Sequence, residues 1–108
     1  MTDPSAADPT RAARRRQLLA RGHAIATRLA EVLAGKDGER GLRALGLHAR
    51  PGMRPEEVLR AALDRVETLR RWLDAGDDRY GRCHACGAAL SAAQLDEVPW
   101  ADACPAHA

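Results

Sequence analysis

Leu18-Leu-Ala-Arg-Gly22-His-Ala-Ile25-Ala-Thr-Arg-Leu29-Ala-Glu-Val32 is the stretch that decides the fold. Leu18, Ile25 and Val32 recur every seven residues, and Gly22 and Leu29 occupy the interleaved positions. That is the a/d seam of a helix packed along a second helix, with one weak layer at Gly22. Arg14, Arg21 and Arg28 share the opposite face, and Glu31 follows Arg28 by three. Asp8-Pro9-Thr10 supplies an entry with Thr10 as the N-cap, and Gly35-Lys-Asp-Gly38 supplies the stop. The pattern predicts a helix over 10–34.

A second seam answers the first. Leu59, Val66 and Leu73 again recur every seven residues, joined by Ala62, Leu63 and Leu69. Pro55-Glu56-Glu57 suits a helix start, because proline fits the first turn and the two carboxylates complement the positive end of the helix dipole. Glu67 and Arg71 stand four apart in the favourable order. Asp74-Ala-Gly-Asp-Asp78 closes the segment, so the helix is expected over 55–75. Two seams of similar length make the expected class mainly α, an antiparallel helical hairpin or coiled-coil arm over 10–76. Closure of the hairpin on itself would give a monomer. The connector, 35–54, is too long for a minimal turn. Leu42, Leu45 and Leu47 can form one or two helical turns in it, and His48-Ala-Arg-Pro-Gly52 breaks the chain again. It reads either as a mobile connector or as a tip carrying partner contacts.

The whole chain has 108 residues, 30% of them charged, and only 3% are aromatic. A dense aromatic core is excluded, and a chain this short buries a limited share of its surface, so a staple would help it fold. Lys36 is the only lysine among 17 basic residues, and the net charge of +2 is too small to argue for nucleic acid by itself. No apolar run approaches the roughly 18 residues of a membrane span. The first nine residues are rich in Ala, Asp and Pro and are expected to be a disordered tail. No apolar block follows the basic cluster after it, so no export leader is expected and the location should be cytoplasmic.

The staple is visible in the last quarter. Cys83-His-Ala-Cys86 is followed 17 residues later by Cys104-Pro-Ala-His107. Each pair offers two donors from one knuckle, and the longer spacer lets the pairs meet from opposite sides of one ion. Three thiolates and an imidazole suit a single structural Zn2+, since four protein donors leave no position for water. His107 is the expected fourth ligand; His84, between two ligands, would strain the chelate. Gly87 fits a knuckle that needs a backbone without Cβ. Arg79 and Arg82 are placed to offset the negative charge of the site. Three cysteines, an odd number, argue against a closed disulfide framework. A redox dithiol would want a βαβ setting, which is missing, and three free thiols without a role are the bland alternative. His23 and His48 have no ligand-type neighbour. The finger is expected over 77–108.

Tyr80-Gly-Arg-Cys83-His-Ala-Cys86-Gly-Ala-Ala-Leu90, followed by Pro99-Trp-Ala101-Asp-Ala-Cys104, resembles the DksA/TraR zinc-finger family. The family pattern is Y-G-x-C-x-x-C-G-x-x-I, then P-x-A-x-x-C-x-x-C, with the same 17-residue spacer. The resemblance is specific over 77–107 and architectural over 10–75. It implies a regulator that binds bacterial RNA polymerase at the secondary channel, inserts a coiled-coil tip toward the active site and changes promoter-complex lifetime. It also implies the alarmone ppGpp as a co-regulator at a shared interface. The departures are specific. His107 stands where the family has a fourth cysteine, and Gln94-Leu95 replaces an Arg-Leu pair. The acidic D-x-x-D-x-A tip motif has no counterpart, since Asp37 and Glu39 have the wrong spacing.

Three functional readings follow. The first is a non-enzymatic transcription regulator docking on RNA polymerase, with tip contacts from Lys36, Asp37, Glu39, Arg40, Arg43 and Arg50. The second is a zinc-stapled DNA binder using Arg11, Arg14, Arg15 and Arg16 on phosphates. Against it, the finger interior carries Asp96, Glu97 and Asp102. The third is a protein adaptor that pairs through the leucine seam. An enzyme is not expected, because no carboxylate pair, Ser-His-Asp set or phosphate-cradling glycine loop is visible.

Overall fold

The computed structural model describes residues 9–107, and the chain is mainly helical. Among the described residues four helices follow one another: α1 Pro9–Leu33, α2 Gly38–Ala44, α3 Pro55–Ala75 and α4 Ala92–Glu97. Thr10, expected as a cap, is already helical, because Pro9 takes the first turn, where its missing N–H costs nothing. The tail expected over 1–9 therefore loses Pro9 to α1, and its remainder lies outside the described residues. No helix among the described residues is long and apolar enough to cross a membrane. Two compact units divide the chain: one runs from Ala20 to Glu67, and the other joins the chain up to Leu19 with the chain from Thr68 onward.

In the Ala20–Glu67 unit the two seams meet. Ile25 and Leu59 are fully buried, and Val58, Val66 and Leu42 nearly so. Gly22 is the weak layer that the heptads imply: a Cβ there would lie 3.7 Å from Val66 Cγ1 and 3.9 Å from Leu63 Cδ1, ordinary contact distances. The connector is organised by α2. Asp37 caps it, accepting from the Glu39 and Arg40 amides, and this satisfies donors that the first helical turn leaves without partners. Leu42 turns inward from this helix. Gly38, expected only as a helix breaker, has a second reason to be glycine. A Cβ would fall 2.5 Å from Pro55 Cβ and 2.6 Å from its Cγ, so the starts of α2 and α3 approach at a distance no side chain permits.

The face opposite the α1 seam is not simply solvated. Arg21 donates to the Leu45 carbonyl at 2.7 Å, tying α1 to the end of α2. Burial pushes its pKa below the usual guanidinium value. Arg28 pairs with Glu31 at 3.2 Å, and its stem lies beside Gly41. Long arginine stems cover apolar surface while their heads find partners, so a row spaced by seven acts as a second packing stripe.

In the other unit, Leu18 of α1 is fully buried, as are Leu69 and Leu73 of α3 to within a few per cent. Arg15 reaches Asp74 at 2.9 Å, and Asp74 also accepts from Arg70 at 3.1 Å. Beyond α3, Asp77 is gripped by Arg79 at 2.7 Å, and the Arg79 guanidinium lies over the Trp72 ring at 4.6 Å. The hydrogen bond from Arg79 holds the Asp77 carboxyl below the usual carboxylate range. A small core of Cys83, Leu90 and Leu95 follows, with Tyr80, Ala101 and Cys104 packed on it.

Candidate metal centre

The four cysteine and histidine donors sit on turns, and backbone hydrogen bonds build those turns. Cys83 and Cys86 flank a tight knuckle in which the Gly87 amide donates to the Cys83 carbonyl at 2.9 Å and the Cys83 amide donates to Ala88 at 2.9 Å. Gly87 has a φ of +74°, the left-handed conformation that glycine adopts without strain. A single antiparallel bridge pairs Arg82 with Ala89 beneath the knuckle. The second ligand pair lies in another turn, closed by the His107 amide on the Cys104 carbonyl at 2.9 Å. The two turns are knitted together where the His84 amide donates to the Asp102 carbonyl at 2.8 Å.

The spacer between them is equally ordered. Ser91 and Gln94 form a reciprocal capping box that starts α4. From there Leu95 enters the core, and Pro99 is fully buried. The Tyr80 hydroxyl donates to the Pro99 carbonyl at 2.8 Å, which joins the two halves of the motif. Arg14 of α1 pairs with Asp96 of α4 at 2.9 Å.

These turns bring Cys83, Cys86, Cys104 and His107 together, with all four donor atoms within 4.8 Å of one another. Cys83 is buried, Cys104 is half-buried, and Cys86 and His107 are exposed, so the cluster is lined on one side and open on the other. The distances discriminate between chemistries. Metal–sulfur bonds of about 2.3 Å and metal–nitrogen bonds of about 2.0 Å, arranged as a tetrahedron, require S···S edges of about 3.8 Å and S···N edges of about 3.6 Å. Cys86 and Cys104 are 3.8 Å apart, and Cys83 stands 3.7 Å from His107 Nδ1. Cys104 to His107 Nδ1, at 3.1 Å, is shorter than such an edge. A disulfide needs about 2.05 Å, and all three cysteines are free. The residues lie close enough together to hold one metal ion.

Hydrogen bonding prepares one sulfur, that of Cys83, for this. Cys83 is held down to about 6, chiefly by the Cys104 backbone amide and further by those of Cys86 and Ala85, against the opposing effect of desolvation. Amides aimed at a buried sulfur favour the thiolate, the form that binds metal. Cys86 differs: the Ala88 amide pulls its thiol down, yet desolvation and the neighbouring Cys83 and Cys104 sulfurs together leave it raised. A dication would supply the missing compensation by accepting all three thiolates at once.

His84 lies outside the donor set. Its Nδ1 faces the Asp102 carbonyl at 2.7 Å, while its backbone supports the turn. Of the two arginines expected to offset the site's charge, Arg82 stays at the knuckle, donating to Gly87 O and Asp78 O, whereas Arg79 is spent on Asp77 and Trp72. The supporting roles of Asp102 and of the backbone amides leave no mark in residue spacing. Ser91-x-x-Gln94 has the spacing of a capping box, a signal that would have placed α4, but it carries no metal chemistry.

The six expected tip residues are all exposed and form no enclosed site. Lys36 and Asp37 precede α2, Glu39, Arg40 and Arg43 lie on it, and Arg50 follows it. The Asp37 carboxylate is engaged in the cap. No family model, curated protein or solved structure matches this chain.

Proposed function

We infer that this protein is a zinc-fingered, non-enzymatic regulator that docks on bacterial RNA polymerase through its secondary channel. In this reading α1 and α3 form an antiparallel helical hairpin, the segment 35–54 is its tip, and Cys83, Cys86, Cys104 and His107 hold one structural Zn2+. The observation that carries the inference is the closure of the two motif halves: Tyr80 reaches Pro99, and the flanking cysteine pairs share one donor cluster. The resemblance to the DksA/TraR finger implies a shared donor cluster built from these two halves. Four protein donors fill a tetrahedral shell, which suits an ion that staples rather than reacts. The ppGpp dependence belongs to the same proposal, as does action in the cytoplasm.

The DNA-binding alternative has less support. Of the arginines it needs, Arg14 is engaged by Asp96 and Arg15 by Asp74. The adaptor reading needs the seam to be intermolecular, yet Gly22 meets Val66 and Leu63 of the same chain.

Interferometry on immobilised RNA polymerase core, in competition with a secondary-channel factor, tests the proposal. Competed binding of the zinc-loaded chain is the expected result. Absence of binding would remove the polymerase assignment and leave the metal site standing.

A further inference from the structure

Within the Ala20–Glu67 unit, charge and apolar exposure concentrate on one end. Gly38 touches both Val32 and Pro55, so the end of α1, the start of α2 and the start of α3 converge there. Lys36, Arg40, Arg43 and Arg50 lie on this connector, and among the described residues none of their side chains has an ion-pair or hydrogen-bond partner. The neighbouring acids are mostly occupied. Asp37 caps α2, Glu31 holds Arg28, and Glu56 and Glu57 face Arg54. Glu39 alone is left among the four cations. Arg40 and Arg43 stand three apart on α2, on the side away from buried Leu42, and so project together.

Among the described residues, two of the three exposed large hydrophobics lie at the ends of the same connector. Leu33, 61% exposed, ends α1, and Met53, 38% exposed, lies two residues before α3. Phosphate backbones reward cations but gain nothing from exposed leucine and methionine, and Glu39 would repel them. A protein surface rich in carboxylates, with apolar positions among them, satisfies both features. Guanidinium groups pair with carboxylates through two parallel bonds, which suits arginine here.

We propose that this connector is a docking surface for an acidic, partly apolar protein surface, recognised by Lys36, Arg40, Arg43 and Arg50 with Leu33 and Met53 buried at contact. The first arm of the test rests on the polymerase reading above; the second does not. In the first, wild type is compared on polymerase core with Lys36→Gln/Arg40→Gln/Arg43→Gln and with the charge-matched control Arg16→Gln/Arg60→Gln/Arg71→Gln. Far-UV circular dichroism checks that each variant folds. The tip variant should bind about tenfold more weakly, with a flatter salt dependence, and the control should change by about twofold or less. Equal loss in both variants, or loss in neither, would overturn the docking surface while leaving polymerase binding intact.

If wild type does not bind polymerase at all, the second arm decides. The Nε–H signals of Arg40 and Arg43 are followed during titration with a glutamate–leucine copolymer and, separately, with a DNA duplex. Shifts with the copolymer that exceed those with DNA support the proposal. Larger shifts with DNA, or no shift with either, overturn it.

Discussion

The metal cluster and the Ala20–Glu67 unit solve the same problem by opposite means. The cluster region has a core of three buried residues, Cys83, Leu90 and Leu95, and one of them, Cys83, belongs to the donor cluster. Its turns are held by a few backbone hydrogen bonds, and Cys86 and Cys104 lie 3.8 Å apart, the edge length of a tetrahedron, without being joined. The seam region instead buries Ile25, Leu42, Val58, Leu59 and Val66, and α2 is capped and tied back by Arg21. One region is organised around donors for an ion, the other around apolar side chains. Metal dependence should therefore be confined to one of them.

The largest expected effect is metal removal. Chelation, or Cys83→Ser, should abolish the fixed environment of Leu90 and Leu95 in methyl NMR spectra, because binding of a structural ion supplies on the order of 10 kcal/mol to small modules of this kind. The α-helical signal should fall only slightly, since α1 and α3 contain most of the helix. Collapse of the whole helical signal would erase the contrast.

Next in size is Leu59→Ala. It removes a fully buried side chain from the seam and should cost about 2–5 kcal/mol in urea denaturation. Bound metal should stay at one ion per chain by mass spectrometry. Asp37→Ala deletes a helix cap and should cost about 1 kcal/mol, read from the shift in denaturation midpoint. The smallest and most pointed change is Gly22→Ala. A Cβ there meets Val66 and Leu63 at ordinary contact distance, and alanine favours helix by about 0.5–1 kcal/mol. The variant should be slightly more stable than wild type, and destabilisation would mean that the seam is tighter at this layer than its geometry indicates.

The same contrast explains what the sequence could disclose. Heptad spacing identified Leu18, Ile25, Leu59, Val66, Leu69 and Leu73 as buried, whereas Leu29, Val32 and Leu63 of the same seams are only half-buried. The four donors were legible because ligand chemistry restricts both residue type and spacing. Polar residues were harder to place. Arg14, Arg21 and Arg28 share a face that spacing assigns to solvent, but each finds a partner: Asp96, the Leu45 carbonyl and Glu31. A charged head on a long stem is compatible with either fate, and only tertiary neighbours decide. Asp37 looked like a contact residue and is engaged as a cap, while Gly38 stands against a proline far along the chain. Neither role has a local pattern that distinguishes it.

X-ray absorption at the zinc edge, on protein purified with its metal, reads the donor set itself. Four-coordinate zinc with three sulfurs at about 2.3 Å and one nitrogen at about 2.0–2.1 Å is the expected result. A shell with fewer than three sulfurs, or with a bound water oxygen in place of the imidazole, would contradict a closed site built from Cys83, Cys86, Cys104 and His107.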